Sequence, residues 1–260
     1  MMKISCVTAS YVADLLGYPG KIDWGLAMQK IIQAPLLETI EGMLNRLAPA
    51  RLEGIEFWFP HIWPEKITPV SAGKILKMLH ERRMVCSACA GGVDDPAKDT
   101  YGASATYQTT RLLEAPLIAG HFDPSAVPGL GILGEKYGVL AAFENGSEKS
   151  VEEIQAAIRG GSAWIAANLD TGNLAAQGGD PVKAVRVLGR QIKHVHFKDV
   201  PAVGSHDCVA IGSGIVDVKG VVKELKACGY DGWLSIEIET ADHDPTEEIL
   251  TSSERIRELF

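Results

Sequence analysis

The sequence holds no stretch of about 18 apolar residues, which excludes a membrane-spanning helix. Its first residues, Met1 to Cys6 (MMKISC), lack a charged segment followed by a long apolar one. No secretory leader is read there, and the cytoplasm is the expected compartment. Positive charge is scarce: 25 Lys+Arg against 33 Asp+Glu leave a formal net charge of −8. That balance repels a phosphate backbone, so no nucleic-acid partner is expected. Cysteines are few, scattered and odd in number (Cys6, Cys86, Cys89, Cys208, Cys228), which suits reduced thiols rather than a disulfide framework. Cys86 and Cys89 read as C-x-x-C, but they fall in the apolar run 84–90, which reads as a strand. Residues three apart on a regular strand face opposite ways, so the pair is read as buried small hydrophobes, not as metal ligands.

What is present is an alternation. The chain is 46% hydrophobic and 22% charged over 260 residues, enough to bury a large core. Short β-rich runs occur at 3–9, 53–59, 84–90, 116–122, 138–144, 163–169, 192–198 and 233–239. Between them lie stretches with apolar residues near i, i+3, i+4 spacing: 24–48, 71–82, 103–114, 125–137, 150–159, 180–190, 217–228 and 246–259. Ser150 with Glu153 reads as a capping box, Asp180-Pro181 as a cap followed by an N1 proline, and Gly160-Gly161 and Gly229 as helix stops. Eight strands alternating with eight helices, with no linker or composition shift, predict a single-domain (β/α)8 TIM barrel over 1–260. A doubly wound open sheet is the alternative.

In a barrel of this kind the reacting groups sit at the C-terminal ends of the strands. The polar residues found there are Glu144 after VLAAF, Asp170 after WIAANL, His196 within IKHVHFKD and Glu237 within WLSIEIE. Strand parity turns Phe143, Leu169, Val195 and Phe197, Leu234, Ile236 and Ile238 towards the helices. It turns Glu144, Asp170, His196, Glu237, and with them His194, Lys198 and Glu239, into the barrel. Three carboxylates and an imidazole then converge without enough cations to pair them. This is a hard O/N donor set that suits Mn²⁺, Mg²⁺ or Co²⁺, with Zn²⁺ also acceptable. Separately satisfied rim residues are the competing reading.

At these residues the sequence resembles the xylose-isomerase-like barrel superfamily, which includes sugar and sugar-phosphate isomerases and epimerases, inosose dehydratases and endonuclease IV. The segments that carry the resemblance are 138-GVLAAFENG-146, 169-LDTGN-173, 194-HVHFKD-199, 212-GSGIVD-217 and 229-GYDGWLSIEIE-239. The resemblance implies metal ligation by Glu144, Asp170, His196 and Glu237. It further implies polarisation of a substrate carbonyl and exchange of a neighbouring carbon-bound proton through an enediolate, with Glu144 and Glu237 as the acid/base pair. Lys198 would steady an enolate oxygen or bind a carboxylate or phosphate, or else pair outward with Asp199 or solvent. Glu56, inward on the second strand, would bind a substrate hydroxyl or form a rim salt bridge. Trp58, on the same face, would stack on a sugar ring or simply pack. His61 and His121 are weaker substrate-side candidates, and His194 reads as a satisfied core histidine. Asn173 stands where related sequences often carry a substrate-touching histidine, and no arginine occurs between Arg190 and Arg255. The missing arginine weakens a transfer of ketohexose specificity, and Asn173 with the acidic charge speaks against a nuclease.

Three further patterns are set aside. Gly129-x-Gly131-x-x-Gly134 does not follow a strand directly, as a dinucleotide fingerprint requires. Gly212-x-Gly214 reads as a flexible loop rather than a phosphate cradle. The aromatic run 57–63 (FWFPHIW) reads as an exposed lid or subunit contact, and homo-oligomerisation is left open. The resulting expectation is a divalent-metal-dependent isomerase or epimerase of a small sugar, sugar phosphate or related polyhydroxy carbonyl compound. A dehydratase of an inosose- or dehydroshikimate-like substrate and a non-catalytic sugar-binding barrel are the alternatives.

Overall fold

The computed structural model describes residues 2–260. Eight strands form a closed, all-parallel barrel in sequential order: β1 (Lys3–Val7), β2 (Gly54–Trp58), β3 (Val85–Ala90), β4 (Leu117–Gly120), β5 (Leu140–Glu144), β6 (Ile165–Asp170), β7 (Ile192–Phe197) and β8 (Trp233–Ile236). The barrel closes through β1 and β8, with Ser5 opposite Ser235. All eight β-rich runs of the sequence correspond to strands. An outer core between strands and helices buries Ile55, Phe57, Phe143, Leu169, Val195, Phe197, Leu234, Ile236 and Ile238, as parity requires. Inside the barrel Ala88, Leu117, Ala119 and Ala142 form a small apolar plug, leaving the mouth to polar groups.

Ten α-helices surround the strands rather than eight: α1 (Trp24–Gln33), α2 (Leu36–Leu47), α3 (Pro69–Glu81), α4 (Thr100–Leu112), α5 (Val127–Tyr137), α6 (Val151–Ala157), α7 (Thr171–Ala176), α8 (Pro181–Leu188), α9 (Val218–Ala227) and α10 (Thr246–Arg257). The continuous stretch expected over 24–48 breaks because Pro35 holds Ala34 in the extended region (ψ 155°). The short α7 follows β6 directly, where the sequence offered only a strand end. The expected capping box at Ser150 is displaced. Ser150 Oγ accepts the Glu153 N–H, but the Glu153 carboxylate accepts from Lys149, not from Ser150.

The parity argument against Cys86 and Cys89 also needs correction. β2 and β3 slip register between Ile55 and Glu56, so that Ile55 faces Cys86 while Glu56 faces Ala88, and Ser87 is the extra residue of a bulge. The bulge returns Cys89 to the same outer layer as Cys86, where both are buried free thiols. The Gly129–Gly134 pattern lies at the start of and within α5. A Cβ at Gly134 would meet Trp164 at 2.5 Å and one at Gly131 would meet Ser162 at 2.8 Å, so close helix packing explains both glycines. The aromatic run is not an exposed lid, since Phe57 to Ile62 are all buried and only Trp63 is partly exposed.

Candidate metal centre

Each of the four charged strand-end residues is placed by a local device. Glu144 ends β5. Asp170 ends β6 and caps α7: its Oδ1 accepts the Asn173 N–H at 2.7 Å, which leaves Oδ2 directed elsewhere. Asn145, buried between the two strand ends, accepts the Asp170 N–H and donates to the Asp170 carbonyl, both at 2.9 Å. Asn168 Oδ1 accepts the backbone N–H of His196 at 3.1 Å. Glu237 directly follows β8.

These devices bring one donor atom from each of Glu144, Asp170, His196 and Glu237 within 4.8 Å of the others, all buried. His196 Nδ1 lies 3.2 Å from Glu144 Oε1 and 3.3 Å from Glu237 Oε2. Asp170 Oδ2, His196 Nδ1 and Glu237 Oε2 make no well-aligned hydrogen bond among the described residues, although the Lys198 ammonium stands within ion-pair distance of the two carboxylate oxygens. Buried polar atoms are seldom left so. Three such donors aimed at one point fit a bound divalent cation, and the oxygen-rich set matches a hard ion.

Lys198 completes the charge balance. Its buried ammonium lies 2.9 Å from Glu237 Oε2, 3.2 Å from Glu239 Oε2 and 3.3 Å from Asp170 Oδ2. The outward pairing with Asp199 or solvent does not occur. Asp199 is instead buried, accepting the N–H groups of Val200, Gly212, Gly214 and Val216. Its carboxylate therefore fills the turn that Gly212 and Gly214 would otherwise offer to a phosphate. Gly172 is required for the passage of Lys198, because a Cβ there would meet the lysine stem at 2.5 Å. Thr171 Oγ donates to the Lys198 carbonyl at 2.6 Å and accepts its N–H at 3.0 Å.

Burial and crowding perturb the protonation of the cluster. Burial pushes Asp170 up to about 6 and Glu239 up to about 7, against the pull of Lys198. Burial also opposes ionisation of Glu237, yet Lys198 and His196 outweigh it and hold its carboxyl well below the usual range. His196 moves well above the ordinary imidazole value although burial acts against this, because Glu237, Glu56 and Glu144 surround it.

Glu56 departs from both of its expected roles. It neither faces the mouth nor joins a rim salt bridge. It is fully buried in the barrel interior, two residues before the rim, and its oxygens accept from His194 Nε2 at 2.7 Å and His196 Nε2 at 3.0 Å. His194 is accordingly an interior histidine held through Nε2, while its buried Nδ1 has no hydrogen-bond partner among the described residues. His61 is likewise interior, with Nδ1 3.1 Å from Thr8 Oγ1 and burial holding its pKa down to about 3. His121 reaches the cluster: its Nδ1–H donates to the Glu144 carbonyl at 2.9 Å, and Nε2 lies 3.8 Å from Glu144 Oε2.

The mouth has two unlike sides. A cavity of about 770 Å³ lies beside Asn173, Lys198, Glu239, His206 and His243. Another of about 800 Å³ is lined by Trp58, Phe59, Trp63, Tyr101, His121 and Phe122. Trp58 packs edge-on against Trp24 and His61, each at 5.8 Å, and so both packs and lines a cavity. Asn145, Asn168 and Glu239 were not singled out as site residues from the sequence. Their one signal was position, since each is a polar residue beside or two places from a strand-end charge.

With this geometry in place, comparison with known proteins assigns the chain. The family pattern described as "Xylose isomerase-like TIM barrel" matches residues 128–259, just over half of the sequence. The chain belongs to this family. An inosose dehydratase of Lacticaseibacillus casei is 31% identical over a match covering 30% of this chain and 30% of its own length. The match thus spans under a third of that curated relative. The solved structure of an L-ribulose 3-epimerase superposes with a TM-score of 0.74 at 18% identity, covering all of this chain and 94% of that one. The probable 3-DHS dehydratase AsbF of Bacillus anthracis superposes with a TM-score of 0.70 at 14% identity, covering 98% and 99%. At such identities the structures show the shared fold. Members of the xylose-isomerase-like family named among these relatives are enzymes. Among the described residues of this chain, no helix is long and apolar enough to cross a membrane.

Proposed function

We propose that the protein is a divalent-metal-dependent isomerase or epimerase of a sugar, sugar phosphate or related polyhydroxy carbonyl compound. The observation that carries this reading is the convergence of four buried donors, three of them with an atom that makes no well-aligned hydrogen bond, beside a buried lysine that only partly compensates their charge. Mn²⁺, Mg²⁺ or Co²⁺ suits the carboxylate-rich set best, and Zn²⁺ also fits. Glu144, Asp170, His196 and Glu237 would hold the ion there, and it would supply Lewis-acid polarisation of a substrate carbonyl.

The remaining chemistry belongs to the chain. Glu144 and Glu237 come from β5 and from the end of β8, and so flank a substrate from two sides. One takes the proton from the carbon beside the carbonyl and the other returns one. Asp170 and His196 are fixed by their backbone partners and hold position. The Lys198 ammonium would steady the negative charge that develops on an enediolate oxygen. Asn173 and His121 border the reacting region and orient substrate hydroxyls, while Trp58 offers an apolar face.

Sequence similarity to an inosose dehydratase favours a second reading, in which the same enolate expels a β-hydroxyl as water. Incubating the Mn²⁺-loaded protein in D₂O with ketoses, keto acids and inososes separates the two. Deuterium appearing beside the carbonyl without loss of water supports the isomerase or epimerase. Growth of an enone absorbance supports the dehydratase. Thermal stabilisation by a sugar with neither reaction overturns both and leaves a binding protein.

A further inference from the structure

The family reading leaves one buried charge without a task. Glu56 is the lone acidic side chain of β2, fully enclosed, yet it spends both oxygens on histidines of β7 across the barrel. A carboxylate only accepts, so at these distances each imidazole presents its Nε2–H to Glu56. For His196 this leaves Nδ1 facing Glu144 and Glu237, where a bound ion would take the place of its proton. The backbone N–H of His196 is already tied to Asn168, so ring rotation is the freedom that remains. The His194 ring stands edge-on to that of His196 at 5.6 Å and holds the second oxygen of Glu56. Glu56, His194 and His196 are themselves close enough together to hold an ion, but here each Nε2 is hydrogen-bonded to its own Glu56 oxygen.

We infer that Glu56 is a positioning residue: supported by His194, it fixes the tautomer and ring orientation in which His196 offers Nδ1 to the metal centre. This rests on the metal reading above. Carboxylate partners of ligating histidines typically affect metal affinity by about 10–100-fold.

The test uses chelator-stripped full-length protein, with Mn²⁺ titrated calorimetrically and ¹⁵N NMR of the histidines after Zn²⁺ loading. Wild type is expected to bind one ion per chain in the cluster, with zinc on His196 Nδ1 and the proton on Nε2. Glu56→Gln, which keeps the side-chain volume, is expected to weaken Mn²⁺ binding by about 10–100-fold while the stripped protein still unfolds cooperatively. His194→Gln is expected to cost less, under tenfold, because Glu56 keeps its bond to His196. Binding by Glu56→Gln within twofold of wild type overturns the role, as does zinc on Nε2 or a second ion held by Glu56. If Glu56→Gln does not fold, the wild-type tautomer decides alone. Absence of any binding by wild type overturns both the metal reading and this role, whereas binding retained in Glu56→Gln overturns the role alone.

Discussion

The two halves of the barrel divide the labour unequally. β5 to β8 and their ends carry Glu144, Asp170, His194, His196, Lys198, Glu237 and Glu239 into the interior, whereas β1 to β4 contribute a single charge, Glu56. The β2–β4 side instead supplies small interior residues such as Ala88 and Ala119, and an aromatic wall at the mouth. Buried charges are costly unless they lie close enough to compensate one another. Grouping them on consecutive strands meets that condition, and the other half is left to shape an apolar cavity. The one charge that crosses over does so to hold the histidine of the opposite half.

The sharpest way to break this division is to remove a proton-transfer group from the charged half. Glu237→Gln and Glu144→Gln are each expected to lower turnover by about 10²–10⁴-fold. Turnover with metal content measured alongside separates loss of chemistry from loss of the ion. Either variant retaining wild-type turnover removes its glutamate from the acid/base pair.

On the apolar half the largest expected effect is on stability. Trp58→Ala should cost about 3 kcal/mol in denaturant unfolding, because a buried indole leaves a cavity against Trp24 and His61. Its Mn²⁺ affinity should stay near wild type. A large loss of affinity would mean that the two halves are not separate.

A smaller effect follows from Asp170. Burial pushes its carboxyl up to about 6, above the ordinary 3.8, so the metal-free protein loses stability from this group as pH rises through that window. Asparagine does not titrate and can still accept the Asn173 N–H. In chelator, the stability of Asp170→Asn relative to wild type should therefore rise as pH increases through that window. Melting curves in which the difference shrinks with rising pH would contradict this. The smallest effect is expected at the exposed lip, where Tyr101 is 81% accessible. Tyr101→Ala should change stability by under about 0.5 kcal/mol and leave Mn²⁺ affinity unaltered.

The barrel was legible because the eight β-rich runs are separated by helical spacing, and alternation towards the C-terminal ends of β5 to β8, beyond the register shift of β6 against β7 at Ala167–Asn168, indicated which residues face inward. Reading failed where that regularity ends. The bulge at Ser87 has no marker in its sequence, so parity misassigned Cys86 and Cys89. The stretch over 24–48 carries continuous helical spacing, but Pro35 breaks it into two helices. Asp199 and Lys198 are neighbours in sequence, yet they pair with different partners because the glycine-rich loop after β7 folds back on Asp199. Glu56 was recognised as inward, but its depth depends on the stagger between β2 and β7, which a single strand cannot disclose.

The central claim is that one divalent ion is held between the ends of β5, β6, β7 and β8. Anomalous diffraction from crystals of the Mn²⁺-loaded protein tests it most directly. The account predicts one peak within bonding distance of Glu144, Asp170, His196 and Glu237. A peak elsewhere, or none at saturating Mn²⁺, would contradict it.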